Sequence, residues 1–544
     1  MEVEGKARDR RVASRMSVLN REPQLTKVGA AVASSLLFVL AFPQYGSAFG
    51  LDWLVWFALV PFFVVTTGSG GWAGALLGLI LGIGIEGGGF IWIYFAITSF
   101  GGQLPFGLGA LGFAAWLAWG TLIWVALGAA LGHCRRPQGV FWVLVFWVAL
   151  EHFFPRLWPW YLGGAVYTRQ WLVQNADLLG TSGLSALVFL ANAVLYRLWR
   201  AHRGSAPMPV VSGAVLFVVL IGANVYGALR LTHVEEFERT RQPQKVMLVQ
   251  GALEPGQRGV QGLAYYTSVT QEALRRRGSA AESVDFIVWP EGAIAAGVSQ
   301  GRDRRGRHLW DPVRFDVTVG ADPWAHFKRL NVSQPEFDVP LVAGSFAEQT
   351  AREPPESNVA VLLMPGATPQ FYEKMERVPF GEVVPFGSLL REFGFRVGTI
   401  AAGKSNPLME INGAHFRNLV CYEAILPDFV RRHADGAEMF VNLTEDIWYG
   451  RTAHISQHAS VVLLRVVENR TPLVRCTNVG PSGVYSIRGT FDHGDALFRP
   501  AVLLREVRPG SMWTLYRAGG WTFPAVLGAL ALVRYALGRL RERT

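Results

Sequence analysis

The chain has 544 residues, of which 51% are hydrophobic and only 17% charged, with a formal net charge of +10. Soluble domains carry about 25% charged residues, so the composition points away from an ordinary soluble protein and towards a membrane class. Lys and Arg fall in short clusters beside apolar runs instead of along one groove, which argues against a nucleic-acid partner. The three cysteines, Cys134, Cys421 and Cys476, cannot form a disulfide framework and lack metal-ligand spacing.

From Val28 to about Tyr226 apolar segments recur between short Gly, Pro or basic breaks. Seven spans are expected, at 28–45, 50–67, 72–98, 106–132, 139–154, 176–198 and 209–229, each near the roughly 20 residues a helix needs to cross the hydrocarbon core. An eighth is expected at 520–537. Lys6, Arg8, Arg10, Arg11, Arg15, Arg21 and Lys27 precede the first span. Arg135 and Arg136 follow the fourth, Arg197, Arg200 and Arg203 the sixth, and Arg534, Arg539, Arg541 and Arg543 the eighth. With this count every cluster falls on one side, so the positive-inside rule places both termini in the cytoplasm and residues 230–515 outside it. No convincing small-x-small cleavage site follows the first span, which is read as retained, and Arg10-Arg11 as part of a basic tail and not a twin-arginine signal. The expected domains are a tail at 1–27, a seven-span bundle at 28–229, an extracytoplasmic domain at 230–515 and a terminal helix with basic tail at 516–544.

Two polar features stand out in the bundle. Glu86 lies mid-span in Gly-Ile-Glu-Gly-Gly-Gly; a carboxylate there costs a few kcal/mol and is either paired inside the bundle or turned towards a substrate. Pro155-Arg-Leu-Trp-Pro-Trp-Tyr161 fits an aromatic interfacial belt, with Arg156 either anchored there or meeting a lipid phosphate.

Beyond Gln244 the pattern becomes short β-like runs between helices and loops: strands at 246–250, 285–291, 340–346, 358–364, 437–443, 472–477 and 483–487, another ending at Cys421, and helices at 265–277 and 454–468. Residues 299–338 are charged and irregular and read as an insertion. Strand–helix alternation predicts an α/β layered domain, whose working residues belong at strand ends. Glu291, Lys374 and Cys421 are candidates there. A carboxylate that takes a thiol proton, a thiolate that attacks a carbonyl and an ammonium that holds the oxyanion suffice for acyl transfer, and a nearby lysine lowers the thiol pKa. Taken singly, each has a plainer reading: Cys421 as a small core residue, Glu291 as a helix N-cap partner, Lys374 as a solvated charge.

Trp-Pro-Glu at 289–291, Glu-Lys at 373–374 with Val-Pro-Phe-Gly-Glu at 378–382, and Cys-Tyr-Glu at 421–423 resemble the Glu-Lys-Cys set of the nitrilase superfamily. The whole chain is similar to one membrane-embedded branch, the apolipoprotein N-acyltransferases, through Leu-Ala-Phe-Pro at 40–43, Trp92-Ile-Tyr94 with Phe100-Gly-Gly102, and Asp177-Leu-Leu-Gly-Thr-Ser-Gly-Leu-Ser185. The resemblance implies an α-helical transmembrane bundle of about eight spans plus an α/β nitrilase-like sandwich. It implies Cys421 as nucleophile, Glu291 as general base and Lys374 as oxyanion stabiliser, with Glu382, Tyr422, Glu423, Trp448 and Tyr449 around them and the Tyr422 N–H as a second oxyanion donor. The implied reaction moves an acyl chain from a phospholipid to the amine of a diacylglyceryl-cysteine on an apolipoprotein through a Cys421 thioester. It takes place at the outer face of a bacterial inner membrane, in a monomer, with no cofactor or metal. The sequence departs from that family at Glu254-Pro-Gly-Gln-Arg-Gly259, which lacks the tryptophan of a mobile arm, and at Glu445-Asp446, where Asn-Asp is usual. The rival readings are a tethered nitrilase-type amidase, for which one anchor would do, and a transporter with an inactive nitrilase-like domain. In an oxidising compartment a Cys421–Cys476 disulfide has to be weighed; Cys476 reads as inward-facing, and both thiols are expected to be free.

Overall fold

The computed structural model describes residues 24–543 apart from 45–50, 101–105, 135, 255–259, 278–282, 295–297, 303–307, 313–338, 349–355, 366, 368, 380 and 384–399. The basic residues before Lys27, Arg135, the 255–259 part of the arm and most of the 299–338 insertion lie outside the described residues.

The N-terminal half is helical: α1 (Gln24–Ala41), α2 (Val60–Thr66), α3 (Gly71–Gly89), α4 (Trp92–Phe100), α5 (Phe106–Gly132), α6 (Val140–Phe153), α7 (Gln170–Val173), α8 (Ala176–His202) and α9 (Val210–Arg239). Among the described residues five helical stretches are long and apolar enough to cross a membrane, and shorter apolar ones at Asp52–Thr66, Val140–Phe153 and Thr522–Leu537 occupy the other expected positions. Two expected spans are broken. The 50–67 segment is a 3-10 turn over Asp52–Trp56 and then α2, which starts with Pro61 in its first turn, where the missing N–H costs nothing. The 72–98 segment divides after Gly87-Gly88-Gly89, a run too poor in helix propensity to carry the turn through, and α4 restarts at Trp92. Helices α3 and α5 meet through glycine: a Cβ on Gly74 would strike the Gly128 carbonyl, the close approach that small residues permit. Glu86 is 1% exposed and accepts from Trp124 Nε1 at 3.0 Å, so it is paired inside the bundle. Only 6% of the apolar window of α9 is buried.

The second half holds fourteen described strands: β1 (Gln244–Gln250), β2 (Phe286–Val288), β3 (Val298–Arg302), β4 (His308–Pro312), β5 (Leu341–Glu348), β6 (Glu356–Leu363), β7 (Gln370–Glu373), β8 (Met409–Ile411), β9 (Ala414–Val420), β10 (Met439–Thr444), β11 (Leu473–Thr477), β12 (Gly483–Ser486), β13 (Thr490–His493) and β14 (Ala501–Val507). Its helices are α10 (Val260–Arg277), α11 (Pro427–Arg432), α12 (His454–Asn469) and α13 (Leu515–Gly519), and α14 (Thr522–Arg543) returns to the bundle, where Arg534 lies 4.3 Å over the Trp142 ring. β3 and β4 pair as a separate hairpin, so part of the expected insertion is ordered into strands.

Two six-stranded sheets, in the orders β14-β1-β2-β5-β6-β7 and β13-β12-β11-β10-β9-β8, form the sandwich. Side chains alternate between faces with period two. Val246 and Leu248 of β1 turn inward to meet Phe416, Val441 and Val474 of the other sheet, whereas Met247 and Val249 turn outward to Leu263 and Tyr266 of α10. Cys476 sits in the inter-sheet core, its thiol 3.2 Å from the Val288 carbonyl of the opposite sheet, and all three cysteines are free. The outer face of the second sheet is covered by α12, whose Val462, Val466 and Val467 share one core with Trp92, Trp158, Leu162 and Phe189 of the helical half.

Polar contacts fix how the halves sit together. Asp177 at the start of α8, 1% exposed, accepts from Arg470 at 2.8 and 3.0 Å, from Arg230 at 2.7 Å and from the Tyr226 hydroxyl at 2.7 Å. Three residues on, Gly180 leaves the helical conformation with φ +66 against the Tyr516 ring, and Thr181 gives its N–H and hydroxyl to Glu468 of α12 at 2.8 and 2.7 Å. The expected boundary at 229/230 falls inside α9, whose last turn reaches the sandwich through Glu238, paired with Arg488 at 2.7 Å. Asp177→Ala strands Arg470, which is fully buried; removing one member of a buried pair costs about 3–5 kcal/mol. The expected result is a clear fall in the thermal unfolding midpoint of the detergent-solubilised protein, and an unchanged midpoint would contradict the network.

Candidate active site

Three strand ends converge. β2 stops at Val288, three residues short of Glu291, and Trp289-Pro290 carries the chain to the carboxylate, with Trp289 Nε1 donating to Thr270 at 3.1 Å. Gly344 of β5 lies flat against this turn: its N–H donates to the Pro290 carbonyl at 3.2 Å, and a Cβ there would run into Glu291 Cα. Lys374 follows β7 directly, its N–H bonded to the Asn358 carbonyl of β6 at 2.8 Å and its side chain fully buried. Cys421 follows β9 as the first residue of a 3-10 turn over Cys421–Ile425, with φ +49. Non-glycine residues rarely occupy that region, and strain of this kind concentrates at functional turns.

Glu423 holds the strained turn. Its Oε2 accepts from Val420 N at 2.7 Å, and its Oε1 from the Tyr372 hydroxyl at 2.6 Å and from the N–H groups of Met375 and Glu376 at 2.7 and 3.0 Å. The cysteine turn of one sheet is thereby bonded to the lysine loop of the other. Tyr422, next to the thiol, donates its hydroxyl to the Leu157 carbonyl at 2.6 Å, in the Trp- and Pro-rich segment of the helical half.

At the centre, Lys374 Nζ lies 2.7 Å from Glu382 Oε1 and 3.7 Å from Glu291 Oε1. Asn358 Nδ2 donates to the same two oxygens, at 2.6 Å to Glu291 and 3.4 Å to Glu382. Glu382 Oε2 takes Val378 N at 2.8 Å, so both its oxygens are engaged. Glu291 keeps Oε2 without a partner among the described residues, and of the two carboxylates it alone has an oxygen open for a proton. Burial opposes the charge on Lys374, yet Glu382 and then Glu291 more than offset it and hold the ammonium above its ordinary 10.5. Burial and then the Glu291 charge push the Cys421 thiol well above 9.0, with Lys374 opposing. Burial raises Glu291 as well, against Lys374 and with Glu382. These shifts favour a protonated Cys421 thiol and a charged Lys374 ammonium in the resting site. Moving one proton from sulfur to Glu291 gives a thiolate paired with Lys374.

The structure brings together Glu291, Lys374, Cys421, Glu382 and Glu423. Tyr449, 6% exposed, stacks on His454 at 3.5 Å between ring centroids, and Trp448 is half-buried beside it. Glu445, at the departure from the usual Asn-Asp, presents its carbonyl 3.9 Å from the Cys421 sulfur, and its carboxylate accepts from Ile447 N at 2.9 Å. Asn358 escaped the sequence reading because it opened an apolar run taken only as a strand; a polar pair, Ser357-Asn358, heading a buried strand is the signal that could have marked it. Asp446, His454 and His458 group their side chains nearby and are the candidate metal donors among the described residues.

If Glu291 is the base, the acid limb of the rate profile lies above the ordinary glutamate value of 4.5. The Asn358 bond favours the charged form, so Asn358→Leu raises the Glu291 pKa further and moves that limb to higher pH. A profile of kcat/KM against pH for both proteins checks this, and a limb that stays put or moves down contradicts the assignment.

Residues 34–194 match the family model described as the apolipoprotein N-acyltransferase N-terminal domain, and residues 257–494 match the carbon-nitrogen hydrolase model. The apolipoprotein N-acyltransferase of Geobacter metallireducens is 32% identical over 93% of this chain and 95% of its own length; that of Bdellovibrio bacteriovorus is 27% identical over 79% of each. The solved structure of Saccharomyces cerevisiae Nit3, from the nitrilase superfamily, aligns with 49% of this chain and 91% of its own at 14% identity and a TM-score of 0.35. With both family models matched in order and a relative aligned nearly end to end, the chain belongs to the apolipoprotein N-acyltransferase family.

Proposed function

We propose that this protein transfers an acyl chain from a phospholipid to the α-amine of the diacylglyceryl-cysteine of an apolipoprotein, through a thioester on Cys421. In the first step the Cys421 proton passes to Glu291, the thiolate attacks the ester carbonyl, and Lys374 meets the charge that develops on its oxygen. Collapse expels the lysophospholipid alkoxide, which takes the proton back from Glu291. In the second step the lipoprotein amine attacks the thioester, Glu291 removes its proton, and Cys421 leaves as the thiol while the amide forms. Glu382 and Asn358 keep Lys374 and Glu291 in register, and Glu423 keeps the cysteine turn against the lysine loop.

The observation that carries this reading is the bond from Tyr422 to the Leu157 carbonyl. The residue beside the nucleophile is tied directly to the apolar half, which supports two lipid-anchored substrates reaching the thiol from the side. The thiol is only 6% exposed, an environment that favours transfer to an amine over transfer to water. The arginine clusters support a catalytic half on the outer face of the bacterial inner membrane.

A phospholipid labelled in its acyl chain should leave label on the purified protein that is released by hydroxylamine at neutral pH and absent in Cys421→Ala. Glu291→Gln should slow acylation by about 10²–10⁴-fold. Label retained in Cys421→Ala would sink the thioester. Failure of the wild-type protein to N-acylate a diacylated lipoprotein, in cells lacking that activity, would sink the acceptor.

A further inference from the structure

We propose that Asp446, His454 and His458 form a buried site for a transition-metal ion of the zinc class, apart from the reacting groups and serving to hold the loop that adjoins them. The two histidines stand four residues apart on α12 and therefore share one helix face. Asp446 approaches that face from the loop after β10. Its Oδ1 lies 3.0 Å from His458 Nδ1 and 3.4 Å from His454 Nε2. An ion about 2.0–2.2 Å from each of three such donors separates them by about this much in tetrahedral geometry, and all three donor atoms lie within 4.8 Å of one another.

A second observation makes this more than a hydrogen-bonded cluster. His454 is fully buried; its Nε2 has only the long 3.4 Å contact with Asp446 Oδ1, and among the described residues its Nδ1 and His458 Nε2 have no hydrogen-bond partner. Buried polar atoms are ordinarily satisfied at closer range, and an ion between His454 Nε2 and Asp446 Oδ1 gives that nitrogen a partner at bonding distance. Asp446 is prepared as a ligand: its other oxygen, Oδ2, accepts from Arg475 at 3.0 Å, an outer bond of the kind that orients ligating carboxylates. Two imidazoles and one carboxylate oxygen suit zinc and its neighbours, not calcium or magnesium, which take oxygen shells. Three protein donors leave a fourth position for water.

The site lies where holding has a consequence. His454 stacks on Tyr449, three residues after Asp446, and meets Trp92 and Trp158 of the helical half edge-on at 4.5 and 4.9 Å. An ion shared by Asp446 and α12 would fasten the loop that presents the Glu445 carbonyl to Cys421.

The test is zinc binding by the full chain in detergent. The protein is stripped with a chelator, incubated with Zn²⁺, passed through a desalting column and assayed for bound metal and for its unfolding midpoint. The wild type should retain about one equivalent and unfold at a higher temperature when loaded. His454→Gln and His458→Gln should each lose at least about tenfold in affinity, while His415→Gln, an exposed histidine of β9 between Glu410 and Glu438, should bind like the wild type. If the glutamine variants fold poorly, the visible bands of Co²⁺ in the wild type report a tetrahedral nitrogen–oxygen site directly. Failure of the wild type to retain zinc, zinc retained equally by His454→Gln, or octahedral cobalt spectra would each overturn the proposal.

Discussion

The fold depends on one buried carboxylate. Asp177 lies in the apolar half, yet its two oxygens are taken by Arg470 from the sandwich and by Arg230 and Tyr226 from α9. A charge so deep is tolerable only when paired and hydrogen-bonded, so the carboxylate holds both halves to one geometry. Glu468 and Thr181 repeat the device one turn away. The orientation of the sandwich follows, and with it the direction in which the cysteine turn faces.

Within the sandwich, the proposed catalytic groups come from both sheets and are joined by polar bonds that the apolar core cannot supply. β2, β6 and β7 bring Glu291, Asn358 and Lys374, while β9 brings Cys421. Hydrophobic packing sets the spacing of the sheets but is non-directional. Glu423 adds direction by bonding Val420 on its own strand and Tyr372, Met375 and Glu376 across the gap. Burial pushes the Glu423 carboxyl up to about 7, with the Tyr372 and backbone donors opposing that rise. The same burial pushes the Cys421 thiol up and favours the protonated sulfur.

Two carboxylates flank one lysine, and their roles differ through contacts alone. Glu382 spends both oxygens on Lys374, Asn358 and Val378; Glu291 keeps one open. Sequence motifs could name both residues but could not say which had a free oxygen. The aromatic residues present a parallel case. Trp92 was visible as part of an apolar span, but the break after Gly89 turns its indole to Gln457 of α12 at 2.9 Å, so a residue read as membrane interior joins the two halves instead.

Much was legible in the chain itself. Hydrophobic runs and their arginine clusters marked the apolar segments, because bilayer thickness imposes length and composition on any crossing helix. Period-two runs marked most strands, and short motifs marked Glu291, Lys374 and Cys421, which lie just beyond the ends of β2, β7 and β9. What depended on distant pairing was not legible: Asp177 with Arg470, Asn358 between two glutamates, and Asp446 with two histidines of α12. Each joins residues far apart in the chain through angles that only the packed helices and sheets set. Composition and periodicity determined which elements form and which are apolar. The tertiary structure alone decided which polar atoms meet, because hydrogen bonds and ion pairs act over about 3 Å, and no local pattern reports a distance of that size between remote parts of a chain.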